Sequence, residues 1–297
     1  MSFNSEALKK PRPRKRILFG FLQLTRFHNL LIIGLTQYIA AIFLAGYPKV
    51  WFHKLFSLDL LLLSSTTVII AAAGYIINDY YDIKIDYINK PDKVVVGKVL
   101  KRREALFTHW LLNVTGVFIG AWLNPWVGLI NLFAAFMLWL YSNHLKRLPF
   151  VGNFVIAALT GLALIVVAVY YQNNERLITI YAIFAFSISL IREVIKDMED
   201  IKGDAHFGSK TLPIWLGLPK TKIILFGLTG GFIFTLFYLA SFLNNPILNA
   251  FFLLLILPII YFIYLLYRAD KKRDFHNLSN FCKLLMLAGI VSMMFFN

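Results

Sequence analysis

The chain has 297 residues, of which 59% are hydrophobic and 15% charged, and its mean hydropathy is +0.69. Soluble globular domains average about 45–50% apolar and about 25% charged residues. This composition excludes a disordered or collagen-like chain and argues against a soluble enzyme, while the single cysteine, Cys282, excludes a disulfide scaffold within the chain. The net charge of +15 would suggest nucleic-acid binding in a soluble protein. In a membrane protein the positions of the charges matter more, so we expect no nucleic-acid partner.

Intervals without Asp, Glu, Lys or Arg predict the membrane-spanning helices, since a helix needs about 20 mostly apolar residues to cross the hydrocarbon. Three intervals fit one span each, and two longer ones fit a pair, with turns predicted at Asn124-Pro125 and at residues 244–246. Two short intervals predict helices that continue into polar sequence. In chain order, the intervals are residues 27–48, 60–78, 105–145, 148–174, 177–191, 223–267 and 284–297. The sequence therefore predicts an all-α polytopic membrane protein with nine transmembrane helices.

The distribution of Lys and Arg predicts the orientation, because cytoplasmic loops retain these residues. With the N-terminus inside, 27 of the 30 Lys and Arg residues fall on the inner side, and only Lys49, Lys54 and Arg176 fall outside. The basic segment KKPRPRKR (residues 9–16) precedes a long apolar helix without a small-residue cleavage site. We therefore expect a retained first span in a cell or inner membrane, a cytoplasmic N-terminus, and a basic extension over residues 1–16.

Ten of the fifteen carboxylates fall in two of the predicted inner connections. Within each cluster the steps of three and four residues place the side chains on one helix face. Like charges at this spacing repel, so we expect a bridging cation, and hard oxygen ligands suit Mg²⁺, Mn²⁺ or Ca²⁺. The spaced carboxylates are Asp79, Asp82 and Asp86 in the first cluster, and Glu193, Asp197, Asp200 and Asp204 in the second.

The same segments carry the amide and basic groups that a diphosphate needs. Asn78, Lys90 and Lys93 flank the first cluster, and Arg192 and Lys196 are interleaved with the second. Acids hold metal ions, and bases hold phosphate oxygens directly. The sequence has no glycine-rich phosphate loop and no histidine cluster with zinc-ligand spacing, which argues against nucleotide and zinc sites of those types. A transporter gate is the different-class alternative, but the middle of each predicted span is free of charge.

Three segments resemble the motifs of the UbiA-type superfamily of intramembrane prenyltransferases: NDYYDIKID (78–86), NKPDK (89–93) and REVIKDMEDIKGD (192–204). The strings RFHN (26–29), YSNHLK (141–146) and GSKTLPI (208–214) extend the likeness over nearly the whole chain. The resemblance implies a single domain over residues 1–297, with nine helices around a central cavity that opens sideways to lipid. It also implies Mg²⁺-dependent transfer of a polyprenyl group from an allylic prenyl diphosphate to a lipophilic acceptor.

The resemblance also implies the roles of individual residues. Lys93 stands where the family commonly has arginine, so its contact with phosphate would be a point charge. Arg26 or Lys146 would supply the extra base that a phosphorylated acceptor requires, and Asn29 joins the substrate-binding set. Phosphate would be held by Lys93, Arg192 and Lys196. One Mg²⁺ would be held by Asn78, Asp79, Asp82 and Asp86 and a second by Asp197, Asp200 and Asp204, with Glu193 and Glu199 as weaker candidates. The expected catalytic residues are Asp79, Asp82, Asp197, Asp200 and Lys196.

The acceptor is indicated by the second motif and the SKTLPI string, which are similar to those of digeranylgeranylglyceryl phosphate synthases. Those enzymes alkylate a hydroxyl of a prenylated glycerol phosphate. Chlorophyll synthases and homogentisate prenyltransferases have similar strings, so an aromatic quinone precursor or a chlorophyllide-like acceptor remains an alternative, as does a transporter of an anionic lipid or metabolite. The expected partners are a prenyl diphosphate donor, a lipophilic acceptor and membrane lipid, with the active site on the cytoplasmic side.

Overall fold

The computed structural model describes residues 14–46, 48–243 and 246–295, so most of the basic N-terminal extension lies outside the described part. Within these residues the chain is helical, and its one β-type pairing is an isolated bridge between Val96 and Leu100. The α-helices of the described residues are α1 (Arg14–Leu24), α2 (Phe27–Ile39), α3 (Trp51–Leu55), α4 (Leu58–Asn89), α5 (Arg102–Leu123), α6 (Pro125–Asn143), α7 (Val151–Tyr171), α8 (Glu175–His206), α9 (Leu212–Leu216), α10 (Leu218–Leu243), α11 (Pro246–Arg268) and α12 (Lys272–Ser292).

Nine helical segments of the described chain are long and apolar enough to cross a membrane, which confirms the predicted number. The first combines α2 with the π-helical turn Ala40–Leu44, and the last combines α12 with the 3-10 turn Met293–Phe295. The segments are Phe27–Leu44, Leu58–Asn89, Arg102–Leu123, Pro125–Asn143, Val151–Tyr171, Glu175–His206, Leu218–Tyr238, Asn249–Arg268 and Lys272–Phe295.

The predicted turn between α5 and α6 is present. The Asn124 side chain accepts a hydrogen bond from the backbone N–H of Trp126 at 2.8 Å, and Pro125 occupies the first helical position, where no N–H is needed. The second predicted turn includes Asn244 and Asn245, which lie outside the described residues. The flanking helices end at Leu243 and begin at Pro246.

Helices α4 and α8 each have 32 residues, which at 1.5 Å per residue makes each about 48 Å long. Both therefore extend well beyond the hydrocarbon. The acidic cluster expected in the connection after the second span lies instead on α4 itself, which ends at Asn89. Ile85 and Asn89 are buried in this part of α4, so tertiary packing supports the helix beyond the apolar span.

The helices pack around a central cavity, as the sequence resemblance implies. Helix α8 packs against α7, α10 and α12, and α4 packs against α2, α5 and α6. Small residues allow close approach between neighbours: a Cβ at Gly161 of α7 would lie 2.9 Å from the Ala182 carbonyl of α8. Because α4 and α8 also contact each other, their two acidic ends come together at one end of the bundle.

Candidate active site

A cavity of about 970 Å³ runs through the bundle. Its lining changes along its length. At one end the polar ends of α4 and α8 supply carboxylates, lysines and arginines, while towards the other end the wall is mostly apolar and includes Leu164, Val166, Ile290 and Met293. Such a cavity suits a ligand with a charged head and a long hydrocarbon tail.

The α4 side of the polar end holds two carboxylates, each paired with a base from another part of the chain. Arg26 Nη2 donates to Asp79 Oδ1 at 3.2 Å, and Lys146 Nζ donates to Asp82 Oδ1 at 2.5 Å. Lys146 also reaches Asn78 Oδ1 at 3.4 Å. The Asp79 and Asp82 side chains are 16% and 15% exposed, so both pairs are partly removed from water.

Arg26 is fixed by its backbone and by an aromatic ring. It lies between α1 and α2 with φ 50° and ψ 53°, a left-handed conformation that costs free energy for any residue other than glycine. Its guanidinium lies 4.8 Å from the centre of the Tyr75 ring, and Asn29 donates to the Tyr75 hydroxyl at 3.3 Å. Burial disfavours the charged guanidinium, but Asp79 and the other acidic groups around it together outweigh this effect and raise the pKa of Arg26. The base therefore stays charged.

The α8 side repeats this arrangement. Lys90 Nζ donates to Asp200 Oδ2 at 2.6 Å, and Asn153 Nδ2 of α7 donates to Asp197 Oδ2 at 2.8 Å. Burial disfavours the Lys90 ammonium, but the charge and hydrogen bond of Asp200, together with the charge of Glu199, outweigh this effect and raise the pKa of Lys90. Lys90 follows the last residue of α4, so this ion pair joins the two acidic helix ends.

A third group of charges lies on α8 before Asp197. Glu193 is buried, and it accepts hydrogen bonds from Arg192 Nη1 at 2.7 Å and from Lys196 Nζ at 3.1 Å. One carboxylate is thus shared by two cations. All three residues line the cavity.

Asn89 at the end of α4 fixes the position of α8. Its amide Nδ2 donates to the Asp200 carbonyl at 3.2 Å, and its Oδ1 accepts from the Gly203 N–H at 3.0 Å. Gly203 permits this contact because a Cβ at that position would overlap the Asn89 side chain. Lys272 of α12 donates to the Asn89 carbonyl at 2.9 Å. These contacts hold the two acidic helix ends together, and the acidic residues of both line the same cavity.

The donor chemistry of the site fits an oxygen-coordinated divalent cation. Within the described residues, no three side chains of the Asp, Glu, His or Cys type converge as a ready metal site, since bases or amides hold several of the carboxylates. Asp200 Oδ1 is nevertheless buried with no hydrogen-bond partner among the described atoms, and a buried oxygen of this kind needs a ligand. Mg²⁺ requires only one or two protein carboxylates, completing its shell with water and phosphate.

The structure brings nearly all of the sequence-predicted site residues to one cavity. The side chain of Lys93 lies outside the described part of the structure, although its backbone closes the 3-10 turn Pro91–Lys93. The predicted residues that line the cavity are Arg26, Asn29, Asn78, Asp79, Asp82, Asp86, Lys146, Arg192, Lys196, Asp197, Asp200 and Asp204, together with the weaker candidates Glu193 and Glu199.

The sequence did not select several residues that complete the site. Asn153 was detectable only as an amide within a charge-free interval. Lys90 was recognised as a base beside the first acidic motif, but its ion pair with Asp200 was not foreseen. Asn280 and Lys283 of α12 also line the cavity. They carried no motif signal, because α12 meets the site only through tertiary packing against α8.

Comparison with known proteins identifies the group to which this architecture belongs. The model of the UbiA prenyltransferase family matches residues 31–287. A digeranylgeranylglyceryl phosphate synthase of Thermococcus kodakarensis is 32% identical over 278 residues, which cover 92% of this chain and 96% of that protein. A protein of the same name from Methanococcoides burtonii is 32% identical over 237 residues, which cover 79% of this chain and 83% of the relative.

Solved structures agree with the sequence relatives. A digeranylgeranylglyceryl phosphate synthase structure superposes with a TM-score of 0.69 at 25% identity and covers 94% of this chain and 98% of its own. A UbiA homologue from Archaeoglobus fulgidus, solved with DMAPP and Mg²⁺, has a TM-score of 0.64 at 16% identity, with coverage of 92% and 98%, and supports the fold. The family model matches most of this chain, and a relative that is 32% identical covers 92% of it. This chain therefore belongs to the UbiA prenyltransferase family.

Proposed function

We propose that this prenyltransferase moves a polyprenyl group from an allylic prenyl diphosphate to the free hydroxyl of a prenylated glycerol phosphate, a step in ether-lipid synthesis. One observation carries the proposal: two acidic helix ends, with their paired bases, meet at the polar end of a largely apolar cavity of about 970 Å³. The relatives named digeranylgeranylglyceryl phosphate synthase support the choice of acceptor.

The carboxylates would hold two Mg²⁺ ions, one on each helix. Asp200 Oδ1, which is buried and has no hydrogen-bond partner among the described atoms, supports a metal on the α8 side, and the solved homologue with DMAPP and Mg²⁺ supports the identity of the ion. When bound, Mg²⁺ neutralises charge on the leaving diphosphate as a Lewis acid. The proposed ligands are Asn78, Asp79, Asp82 and Asp86 of α4 and Asp197, Asp200 and Asp204 of α8.

The bases now paired with these carboxylates would hold the diphosphate. Arg26, Lys90 and Lys146 each donate to a motif carboxylate at 2.5–3.2 Å, so a short side-chain movement transfers each hydrogen bond to a phosphate oxygen bound beside it. Asn29 lines the cavity next to Arg26 and offers its amide to the same group. Lys93 remains a proposed phosphate ligand on the sequence pattern.

The cavity would then control the chemistry. The allylic carbon–oxygen bond breaks, its electron pair leaves with the diphosphate, and positive charge develops on the prenyl carbon. The acceptor hydroxyl oxygen forms the new carbon–oxygen bond, and its proton passes to an anionic oxygen of the site. Fixed cations at the polar end stabilise the leaving group. The apolar wall holds the tail and excludes the water that would otherwise capture the prenyl group.

We infer that the active site faces the cytoplasm. The acidic ends of α4 and α8 belong to the segments predicted to be inside, which together contain 27 of the 30 Lys and Arg residues of the sequence, and such residues are retained on the cytoplasmic side. The N-terminus would lie on the same side. Labelling of single cysteines in a Cys282→Ser background, at Lys49 on one side and Lys210 on the other, tests this topology in intact cells.

The proposed function is tested by offering acceptors in parallel. Purified protein receives geranylgeranyl diphosphate, Mg²⁺ and either geranylgeranylglyceryl phosphate or aromatic quinone precursors, and mass spectrometry identifies the species that gains a prenyl group. We expect the glycerol phosphate lipid to gain it, with release of diphosphate. Prenylation of an aromatic acceptor alone would contradict the proposed acceptor. Flux of an anionic lipid across liposomes without any diphosphate release would indicate a transporter.

A further inference from the structure

A second basic site lies beside the proposed diphosphate site. We call it the Arg192 site and define it as Arg192, Glu193 and Lys196 of α8 together with Asn280 and Lys283 of α12, all of which line the cavity. Arg192 and Lys196 both donate to the buried Glu193 carboxylate. Helices α8 and α12 pack directly against each other, so the two sets of side chains reach the cavity from adjoining walls.

The charge balance of the Arg192 site differs from that of the acidic motifs. Arg26, Lys90 and Lys146 are matched one to one with Asp79, Asp200 and Asp82 in the described structure. At Glu193, by contrast, two cations share one carboxylate, so these three residues together carry one positive charge.

Arg192 also has unused hydrogen-bonding capacity. Its side chain is only 15% exposed, and its Nε is buried with no hydrogen-bond partner among the described atoms. A buried donor without a partner is costly. A phosphate group would satisfy that donor and balance the surplus charge, because guanidinium donors match phosphate oxygens. Glu193 would remain in place as the anchor that holds both cations.

The position of the site suits the acceptor. On α8, Lys196 lies four residues before Asp200, and Arg192 lies eight residues before Asp200. These separations correspond to about 6 Å and about 12 Å along the helix axis. The acceptor hydroxyl must approach the reacting carbon to about 3–3.5 Å, and on a three-carbon glycerol the phosphate lies only a few bonds from that hydroxyl. The acceptor phosphate should therefore bind close to the diphosphate site but outside it.

We propose that Arg192 and Lys196, held by Glu193 and completed by Asn280 and Lys283, bind the phosphate of the acceptor and select a phosphorylated glycerol lipid over an uncharged one. The proposal rests on the proposed function, since it concerns the second substrate of that reaction. It replaces the expectation from the family resemblance, in which these two bases held the diphosphate and Arg26 or Lys146 met the acceptor phosphate. It separates the two anions by place: the diphosphate binds where carboxylates and metal ions meet, and the acceptor phosphate binds where cations outnumber carboxylates.

The test separates the kinetic constants of the two substrates. In Arg192→Gln we expect the KM for geranylgeranylglyceryl phosphate to rise about 10- to 100-fold, the loss typical of a hydrogen bond to a charged group, while the KM for geranylgeranyl diphosphate changes by less than about threefold. Arg192→Lys keeps the charge and should recover part of the acceptor affinity. Lys220→Gln, at an exposed position of α10 outside the cavity, is the matched control.

A second readout uses geranylgeranylglycerol, which lacks the phosphate. The ratio of kcat/KM for the phosphorylated and unphosphorylated acceptors should fall in Arg192→Gln, and this ratio does not depend on how much of a preparation is folded. An equal rise in both KM values would assign Arg192 to the diphosphate and overturn the inference, leaving the proposed function intact. Failure of the unsubstituted protein to prenylate geranylgeranylglyceryl phosphate would instead overturn the proposed function.

Discussion

Helix α4 carries a partly buried ion-pair cluster at each end, and the two clusters are built from similar residues. Near its start, Asp59 accepts hydrogen bonds from Lys54 Nζ at 2.8 Å and from the Tyr171 hydroxyl at 3.0 Å, and Lys54 lies 4.2 Å from the centre of the Tyr171 ring. Near its end, Asp79 and Asp82 accept from Arg26 and Lys146. Twenty residues separate Asp59 from Asp79, or about 30 Å of helix.

The difference between the two clusters is whether their polar groups are satisfied by the protein itself. The Asp59 cluster lies outside the cavity lining, and its carboxylate receives two donors from neighbouring side chains. The other cluster lines the cavity and continues onto the adjoining wall formed by α8, where Asp200 Oδ1 and Arg192 Nε are buried without partners among the described atoms. A satisfied cluster stabilises the fold, whereas an incompletely satisfied cluster on a cavity wall indicates a ligand.

Removal of Mg²⁺ should have the largest effect. Chelation with EDTA is expected to reduce prenyl transfer to background, because the carboxylate clusters would then lack the cations that neutralise the leaving diphosphate. Transfer of a radiolabelled prenyl group measures this, and added Mg²⁺ should restore it. Thermal unfolding of the chelated protein is the control. The protein should remain folded in EDTA, since the Asp59 cluster needs no metal. Full turnover in EDTA would contradict the metal assignment.

Neutralising one motif carboxylate should have the next largest effect. Asp79→Asn and Asp200→Asn are each expected to lower kcat about 10³-fold or more, the scale seen when transition-state charge stabilisation is lost. Asp59→Asn, the same change in the other cluster, should leave kcat within about twofold because it touches no substrate. If Asp79→Asn and Asp59→Asn lowered kcat equally, the distinction between the two clusters would be lost.

Neutralising a lysine of the site should weaken the affinity for the prenyl diphosphate. Lys146→Gln is expected to raise the KM for the prenyl diphosphate about 10- to 100-fold, because a hydrogen bond to a charged group contributes about 1.5–3 kcal/mol. Lys54→Gln, which alters the opposite cluster, should not change that KM. Steady-state kinetics at saturating acceptor makes the comparison, and equal KM values in Lys146→Gln and the unsubstituted protein would remove Lys146 from the diphosphate site.

The smallest effects concern stability. Asp59→Asn should lower the free energy of unfolding by about 0.5–1 kcal/mol, since the Asp59 side chain is 32% exposed and its ion pair is partly screened. Asn89→Ala should cost about 1–3 kcal/mol, because it leaves the buried Gly203 N–H without its acceptor. Thermal unfolding in detergent measures both, and Asn89→Ala should also lower turnover by loosening α4 from α8. Loss of turnover in Asp59→Asn without loss of stability would contradict this division.

The sequence predicted the spans and the acidic faces because each depends on a local rule. The hydrocarbon thickness fixes the length of a charge-free interval, so nine spans were countable. The three- and four-residue steps of Asp79, Asp82 and Asp86 fixed their common helix face. Periodicity alone did not show that α4 continues as one helix to Asn89, since charged residues there resemble those of a loop.

The partners of these carboxylates were not predictable from local rules. Lys146 and Asp82 are 64 residues apart in the chain, and Lys90 and Asp200 are 110 apart. Helical spacing specifies which residues share a face but not which distant residue meets that face. The same limit applies to Asn153, which donates to Asp197 from another helix.

The most direct test of the account is a structure of the protein with Mn²⁺ and a non-hydrolysable geranylgeranyl thiolodiphosphate, since Mn²⁺ shares the oxygen preference of Mg²⁺ and is identified by its anomalous scattering. The account predicts anomalous peaks between the ends of α4 and α8, with Asp79 and Asp200 as ligands and with Arg26, Lys90 and Lys146 moved from their carboxylates to the diphosphate. Metal and diphosphate located elsewhere, with those three ion pairs intact, would contradict it.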